Sequence, residues 1–211
     1  MAFDFKKEYK EFYLPPRQPS ILSIPQMQYL AVRGRGNPNE ADGEYSAALN
    51  ALYGVAYTLK MSYKSDYSIA GFFEYVVPPL EGLWWQEGTK GMDYARKDDL
   101  SWISLLRLPD FVRPCDFEWA VARATQKKQL DFSGVELFIH TEGLCVQCLH
   151  LGRYDDEPET LHAMDSYAKA QGYQPDITAR RYHHEIYLSD PRKTEAAKLK
   201  TVIRHPIKPQ E

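Results

Sequence analysis

The segment RYHHEIYLSDP, residues 181–191, concentrates side chains that bind metals or transfer protons. Its two adjacent histidines precede Glu185, and imidazole and carboxylate groups are common protein ligands of zinc. Aromatic and branched residues that end at a proline are typical of a strand. Because strand side chains alternate between two faces, we expect His183, Glu185 and Tyr187 on one face and His184 on the other.

This alternation argues against a metal site. The two histidines cannot bind the same ion, and His183 with Glu185 supplies only two ligands where zinc takes three or four. The remaining histidines show no HxxxH or HExxH spacing. Cys145 and Cys148 match CxxC, but they fall in another predicted strand, which points the two thiols to opposite faces. We therefore predict no metal and no cofactor.

Glu185 remains the main candidate for chemistry. A carboxylate in the middle of a strand is ordinarily solvated or paired with an arginine. In a cleft among aromatic rings, partial desolvation would instead raise its pKa and let it attract cations or handle protons. Glu157 is a second and weaker catalytic candidate, because an acid at a helix start ordinarily serves the helix dipole.

The composition restricts the classes of function. The chain has 211 residues, 44% of them hydrophobic, which is enough for one domain with its own core. Its net charge of −3 comes from interspersed charges without a basic run, which disfavours direct nucleic-acid binding. No apolar stretch reaches the roughly 20 residues of a membrane span, and the first residues lack a secretory signal. We therefore expect a cytoplasmic protein that does not contact membranes.

The elements that position Glu185 follow from periodicity and turn signals. Residues 1–25 are charged and then proline-rich, so we expect an arm without regular structure before order begins at about Met27. From Glu44 to about Lys60, apolar residues recur at steps of four and three, which predicts a helix. Aromatic and branched residues predict strands at 27–34, 72–79, 80–86 and 100–109.

The second half of the chain continues this alternation of elements. A helix is predicted over 115–128, and the segments 135–143 and 144–154 predict a hairpin that turns at Glu142 and Gly143. Acidic residues with Pro158 begin a further helix, and Gly172 ends it. The last predicted strands are HHEIYLSDP and LKTVIRHP.

The order of elements indicates a duplication. Two β-α-β-β units, about 27–110 and 144–208, flank an inserted helix and strand within one domain, 26–211. Setting FEYVVPP against HEIYLSDP aligns Glu74 with Glu185. Such a duplication predicts an α+β fold with two helices on one face of the sheet and a central ligand cleft.

Several segments resemble the GyrI-like small-molecule-binding family. They are QYLAVRGRGNPNE, ALYGVAYTLK, EGLWWQ, DLSWISLLRLPDF and HHEIYLSDPRKTEAAKLKTVIRHP. The resemblance spans nearly all of residues 20–208. It implies a duplicated β-α-β-β fold of the SHS2 type, with Glu185 as the acidic residue at the centre of the ligand cleft.

Within that family, the YTLK and EGLWWQ segments resemble stand-alone proteins that hydrolyse cyclopropane-bearing DNA-alkylating natural products such as yatakemycin, using an aromatic cage. No helix-turn-helix pattern precedes the domain, which favours a free-standing binder or enzyme over a regulator. Aromatic residues make up 13% of the chain, and some of them should line a pocket. Since Trp84 and Trp85 must face opposite sides of a strand, only one can do so. The candidate ligand-binding residues are Trp85, Tyr57, Tyr187, Trp102, Phe73 and His183.

Three functions remain open at this point. The first is a hydrolase that detoxifies planar cyclopropane-bearing electrophiles. The second is a protein that sequesters amphipathic or cationic drugs without chemistry. The third, by family analogy alone, is a protein that interacts with DNA gyrase. The first two take a planar aromatic or amphipathic small molecule as their partner, and no oligomeric state is predicted.

Overall fold

The first half of the chain contains one β-α-β-β unit. The computed structural model describes residues 2–89, 92–93, 95–178 and 180–210. Two short helices, α1 (Phe5–Glu8) and α2 (Lys10–Tyr13), come first. They are followed by β1 (Ser20–Arg35), α3 (Glu44–Lys60), β2 (Leu80–Gln86) and β3 (Leu100–Arg107).

The second half repeats this order after one inserted helix, α4 (Pro114–Lys128). It contains β4 (Val135–Leu151), α5 (Glu157–Ala170), the short β5 (Tyr173–Pro175), β6 (His183–Tyr187) and β7 (Lys200–Pro209). The predicted α+β fold of two β-α-β-β units is confirmed. Within the described ranges, no helix has the length and apolar character needed to cross a membrane.

The strands form one antiparallel, barrel-like sheet. Neighbouring strands follow the order β4-β1-β3-β2-β6-β7, and β4 also pairs with β7, which closes the ring. The short β5 adds to the end of β7. The two units meet along two seams, where β1 pairs with β4 and where β2 pairs with β6; in the second seam Gly82 lies opposite Glu185 and Trp84 opposite His183. Closure gives every strand of the ring two neighbours, so Glu185 sits on an interior strand.

The helices α3 and α5 cover the same face of this sheet. Residues paired across neighbouring strands share a face, and Trp102, Trp84 and His183 form such a row over β3, β2 and β6. Tyr45 of α3 contacts Trp84 and Trp102, and Glu157 at the start of α5 lies near His183. The prediction of two helices on one face of the sheet is therefore confirmed.

The predicted strand at 72–79 is wrong. This segment is extended but makes a single bridge, between Tyr75 and Phe3, because Pro78 and Pro79 have no N–H to donate. The counterpart of β6 in the first unit is instead β2. Glu74 is exposed and outside the sheet, so its alignment with Glu185 is also wrong.

The predicted hairpin at Glu142 and Gly143 is also wrong, because β4 runs through both residues and pairs with the same strand, β1, before and after Glu142. Gly143 takes a φ of 74°, which glycine tolerates inside a strand. Glu142 is buried, where its carboxylate pairs with His184 and Arg204. Glu142 and Gly143 thus lie in the middle of a strand because the Glu142 carboxylate is ion-paired inside the protein.

The N-terminal arm is ordered, contrary to the prediction. Pro25 lies inside β1, which at this point pairs with β4 alone, since pairing with β3 begins at Tyr29. One side of β1 is therefore free of ladder bonds at the proline. Before it, Phe5 and Tyr13 are buried in an apolar cluster with Ile186 and Val202. Burial of aromatic side chains holds the arm against the sheet face opposite α3 and α5.

A buried charge cluster lies on that opposite face and consists of Glu81, His184, Glu142 and Arg204. His184 Nε2 lies 3.0 Å from Glu81 and its Nδ1 lies 3.1 Å from Glu142. Arg204 Nη1 donates to Glu142 at 3.0 Å, and the Tyr13 hydroxyl donates to Glu81 at 3.1 Å. Burial opposes a charge on His184, but the two carboxylates outweigh it and raise its pKa to about 9.

This raised pKa predicts how stability depends on pH. The imidazolium stabilises the fold fully below pH 6.5, its ordinary pKa, and the contribution is lost as pH rises through about 9. We expect the free energy of unfolding in urea to fall by about 3 kcal/mol across this window. The His184→Gln variant should be less stable at neutral pH and should lose this dependence. A flat profile for the unmodified chain over the same window would contradict the assignment.

Candidate functional site

A cleft of about 1050 Å³ opens on the face that carries α3 and α5. Its floor is made by β2 and β6, and its sides by the first half of α3, the loop before β2 and the loops around β6. Aromatic and apolar side chains dominate the lining, with one carboxylate on the floor. The lining includes Tyr45, Tyr53, Leu80, Trp84, Tyr154, Glu185 and Tyr187.

Glu185 lies on the floor with 7% of its surface exposed. Its Oε1 lies 2.9 Å from His183 Nε2, within hydrogen-bond distance. Across the strand pair, Gly82 leaves the space that the surrounding side chains need: a Cβ there would lie 2.4 Å from Trp84 Nε1 and 3.1 Å from the Tyr187 hydroxyl. The missing side chain thus lets two rings close around the carboxylate.

Four rings, from Tyr45, Trp84, Tyr154 and Tyr187, form an aromatic wall around Glu185. Trp84 Nε1 donates to the Tyr187 hydroxyl at 2.9 Å, and the Tyr45 and Trp84 ring centres are 5.6 Å apart. Tyr154 meets Tyr187 edge to face at 5.8 Å. These contacts hold the rings at distances that favour aromatic packing, so that they form one continuous side of the cleft.

The wall also supplies protonated hydroxyl groups. Burial first, and then the Glu185 carboxylate, raise the pKa of Tyr187 well above its usual value. The same two causes raise the pKa of Tyr154 to about 12. Burial likewise raises the pKa of Tyr45. All three hydroxyls keep their protons at neutral pH, but Tyr187 hydrogen-bonds to Glu185, which leaves Tyr45 and Tyr154 to donate to a ligand oxygen.

His183 links Glu185 to two further buried groups, His205 and Glu157. His183 Nδ1 is 2.7 Å from His205 Nε2, and His183 Nε2 is 3.9 Å from Glu157 Oε2. Glu157, His183 and Glu185 each offer a possible metal ligand atom, and these atoms lie within 4.8 Å of one another. The alternation of strand side chains predicted two of these ligands, His183 and Glu185, and α5 adds Glu157 as a third. The prediction of no metal had counted only the first two.

The mouth of the cleft carries balanced charges. Lys97 Nζ lies 2.7 Å from Asp155, and Arg192 Nε lies 2.9 Å from Asp190. All four residues line the cleft. The cleft is lined by four further charged residues, so its rim carries both signs of charge: Lys6, Glu40, Asp42 and Arg153.

The structure places only some of the predicted ligand-binding residues in the cleft. Tyr187 lines it, and His183 lies beneath Glu185. Trp85 is on the opposite sheet face, where its ring centre is 4.9 Å from that of Tyr182. Trp84 takes the place in the cleft that the sequence analysis gave to Trp85, because it pairs with His183 on the helix-covered face.

The other three predicted cage residues do not line the cleft. Tyr57 is 51% exposed on α3 and stacks on Tyr53. Trp102 is fully buried beneath Tyr45, with ring centres 5.0 Å apart. Phe73 packs on Phe3 and Phe111 away from the cleft. Trp102 therefore supports the aromatic wall from below, whereas Tyr57 and Phe73 have no part in it.

The residues missed were Trp84, Tyr45, Tyr53 and Tyr154, which line the cleft. Tyr45 lies on the apolar stripe of α3, a position typical of core packing, so the sequence gave no sign of its role. Tyr154 follows a glycine turn that carries no periodic signal. Trp84 could have been chosen over Trp85 once His183 and Glu185 were assigned to one face and the β2–β6 register was known.

Comparison with known proteins identifies one matching family and several similar structures. A family described as GyrI-like small molecule binding domain matches residues 17–208. A crystal structure of an uncharacterized conserved protein from Listeria innocua is 43% identical, with a TM-score of 0.92, and the match covers 98% of this chain and all of the other. A crystal structure of a hydrolase from Listeria innocua is also 43% identical, with a TM-score of 0.91 and coverage of 99% and 100%.

More distant structures share the fold alone. The C-terminal domain of EcmrR is 12% identical with a TM-score of 0.55, over 92% of this chain and 98% of that domain. A comparison with curated proteins found no match.

The position of the two adjacent tryptophans predicts a difference in ligand binding. Trp84→Phe should weaken binding of the flat probe acridine by roughly tenfold, because it removes part of the aromatic wall and the hydrogen bond to Tyr187. Trp85→Phe is the matched control on the other sheet face and should bind within roughly twofold of the unmodified chain. Fluorescence titration measures both. Equal losses in the two variants would contradict the placement of the cleft.

Proposed function

We propose, since this chain belongs to the GyrI-like family of small-molecule-binding domains, that its cleft binds planar aromatic molecules and hydrolyses those that carry a fused cyclopropane. DNA-alkylating natural products of the yatakemycin type are the substrate class. The observation that carries this proposal is one carboxylate, Glu185, which lines the cleft beside aromatic rings and has His183 Nε2 2.9 Å from its Oε1.

The reaction requires little covalent chemistry from the protein. Water adds to a ring carbon of the cyclopropane, one C–C bond breaks, and its electron pair moves through the conjugated system to the carbonyl oxygen. That oxygen takes up a proton and becomes a phenol, so the flat system turns aromatic. The net change is the addition of one water molecule, without oxidant, reductant or cofactor.

Glu185 is the proposed general base. Its carboxylate takes one proton from the attacking water as the C–O bond forms, an effect commonly worth two to four powers of ten in rate. Its small exposed fraction limits the competing hydration of the carboxylate. The rings of Trp84 and Tyr187 hold the flat substrate beside it, which supplies orientation.

The electron-accepting oxygen needs a donor at the other end of the substrate. The hydroxyls of Tyr45 and Tyr154 are the candidates, because both residues line the cleft and a tyrosine hydroxyl is protonated at neutral pH. Glu157 does not line the cleft and acts as a positioning residue, through its charge beside His183. The aromatic wall suits a substrate class that is flat and conjugated.

Two relatives support the choice of an enzyme over a binding protein. Crystal structures of proteins 42% and 43% identical to this chain are named as hydrolases, which is a statement about those proteins. A protein that sequesters uncharged drugs would need the aromatic wall but not the carboxylate, whereas one that sequesters cationic drugs would need both without turning them over. Turnover therefore distinguishes the two functions.

The decisive variant is Glu185→Gln, which preserves shape and removes the base. The unmodified chain should convert yatakemycin to a product with the mass of one added water. Glu185→Gln should bind the drug and lower kcat by about two to four powers of ten. Glu159→Gln, an exposed glutamate in the first turn of α5, is the control and should retain full activity. Binding without turnover by the unmodified chain would leave sequestration as the function.

A further inference from the structure

We infer that His205 is a positioning residue that holds His183 as the neutral tautomer with its proton on Nε2, so that His183 donates to Glu185. His205 lies on β7, one strand away from His183, and does not line the cleft. Its catalytic consequence rests on the proposed hydrolysis, but the tautomer itself does not.

The two histidines share one short hydrogen bond. His183 Nδ1 and His205 Nε2 are 2.7 Å apart, and the rings meet edge to face with centres 5.0 Å apart. Both side chains are buried. One proton must lie between the two nitrogens, so one histidine donates and the other accepts.

The second ring nitrogen of His205, Nδ1, decides which of the two histidines donates. His205 Nδ1 is buried, and none of the described residues forms a hydrogen bond with it. A buried N–H without an acceptor is rarer and more costly than a buried lone pair without a donor. The proton of His205 therefore lies on Nε2, which donates to His183 Nδ1. His183 then carries its own proton on Nε2 and donates it to Glu185.

If His183 became an imidazolium or bound a metal ion, His205 would have to carry its proton on Nδ1 instead of Nε2. An imidazolium at His183 would donate from both nitrogens, so His205 Nε2 would have to accept and Nδ1 would become a buried N–H without an acceptor. A metal ion on His183 Nε2 would force the same exchange, because the His183 proton would move to Nδ1. His205 therefore opposes both protonation and metallation of His183, despite the two carboxylates nearby.

His205 itself stays neutral. Burial first, and then the neighbouring His183, lower the pKa of His205 to about 3. The chain of donors thus runs in one direction, from His205 to His183 to Glu185. The titratable groups around this chain are Glu157 from α5, Glu185 and Tyr187 from β6, and Glu142 from β4.

His184 provides an internal reference on the same strand. Its two ring nitrogens both face carboxylates, at 3.0 Å and 3.1 Å, which suits an imidazolium. His183 faces one carboxylate and one histidine. At neutral pH, His183 should therefore carry one ring N–H proton and His184 two.

Long-range ¹⁵N–¹H NMR of the full chain, with labelled imidazole rings, tests the tautomer without any substrate. At neutral pH, His183 should show a protonated Nε2 and an unprotonated Nδ1, while His184 shows two protonated nitrogens. Spectra of His183→Gln and His184→Gln assign the signals. A His183 with its proton on Nδ1, an imidazolium, or an Nε2 that loses its proton when Zn²⁺ is added would each overturn the inference.

His205→Glu tests the consequence for Glu185. The carboxylate of glutamate accepts a proton from His183 Nδ1, so the NMR spectrum should show both ring nitrogens of His183 protonated at neutral pH. The Glu185 carboxylate beside an imidazolium is a weaker base, so kcat for yatakemycin should fall roughly tenfold with KM little changed. His205→Gln is the matched control, because its amide NH₂ can donate to His183 Nδ1 as His205 does, and Nδ1 should stay unprotonated in that variant. The same protonation state of His183 in both variants would overturn the inference, whatever the activity.

The two proposals fail in different ways. If the unmodified chain does not hydrolyse yatakemycin but His183 has the expected tautomer, the proposed function is wrong and the role of His205 stands. If turnover depends on Glu185 but His183 is an imidazolium, the proposed function stands and the role of His205 is wrong.

Discussion

The strand β6 is buried on both faces, and polar groups on each face must find partners inside the protein. On one face, His184 is clamped between two carboxylates of the buried charge cluster. On the other, His183 donates to Glu185 at the floor of the cleft. The alternation of side chains along β6 thus places His184 in the buried charge cluster and Glu185 on the other face, at the floor of the cleft.

The rest of the fold serves this arrangement. Closure of the sheet makes β6 an interior strand, with β2 and β7 at its sides. The neighbour β2 contributes Gly82, whose missing side chain admits Trp84 and Tyr187 beside the carboxylate. The other neighbour, β7, contributes His205 on the cleft side and Arg204 on the opposite side. The N-terminal arm seals that opposite face through Tyr13, which donates to Glu81.

Local patterns predicted the parts of this structure that local forces determine. The apolar stripe of α3 gave its bounds, and period-two alternation gave the faces of β6. The failures lay where long-range contacts overrule local signals. Glu142 and Gly143 resemble a turn, yet ion pairs with Arg204 and His184 keep them in a strand. Trp84 could not be chosen over Trp85 without the register of β2 against β6, and no local pattern brings Glu157 of α5 behind His183.

The central claim is that Glu185 activates a water molecule at the floor of the cleft. The most direct test is a single turnover of yatakemycin with the protein in excess in ¹⁸O-labelled water, followed by mass spectrometry of the product. Water activation predicts one labelled oxygen on the opened ring in the first turnover. An unlabelled product, with its oxygen taken from the carboxylate, or recovery of intact drug would contradict the account.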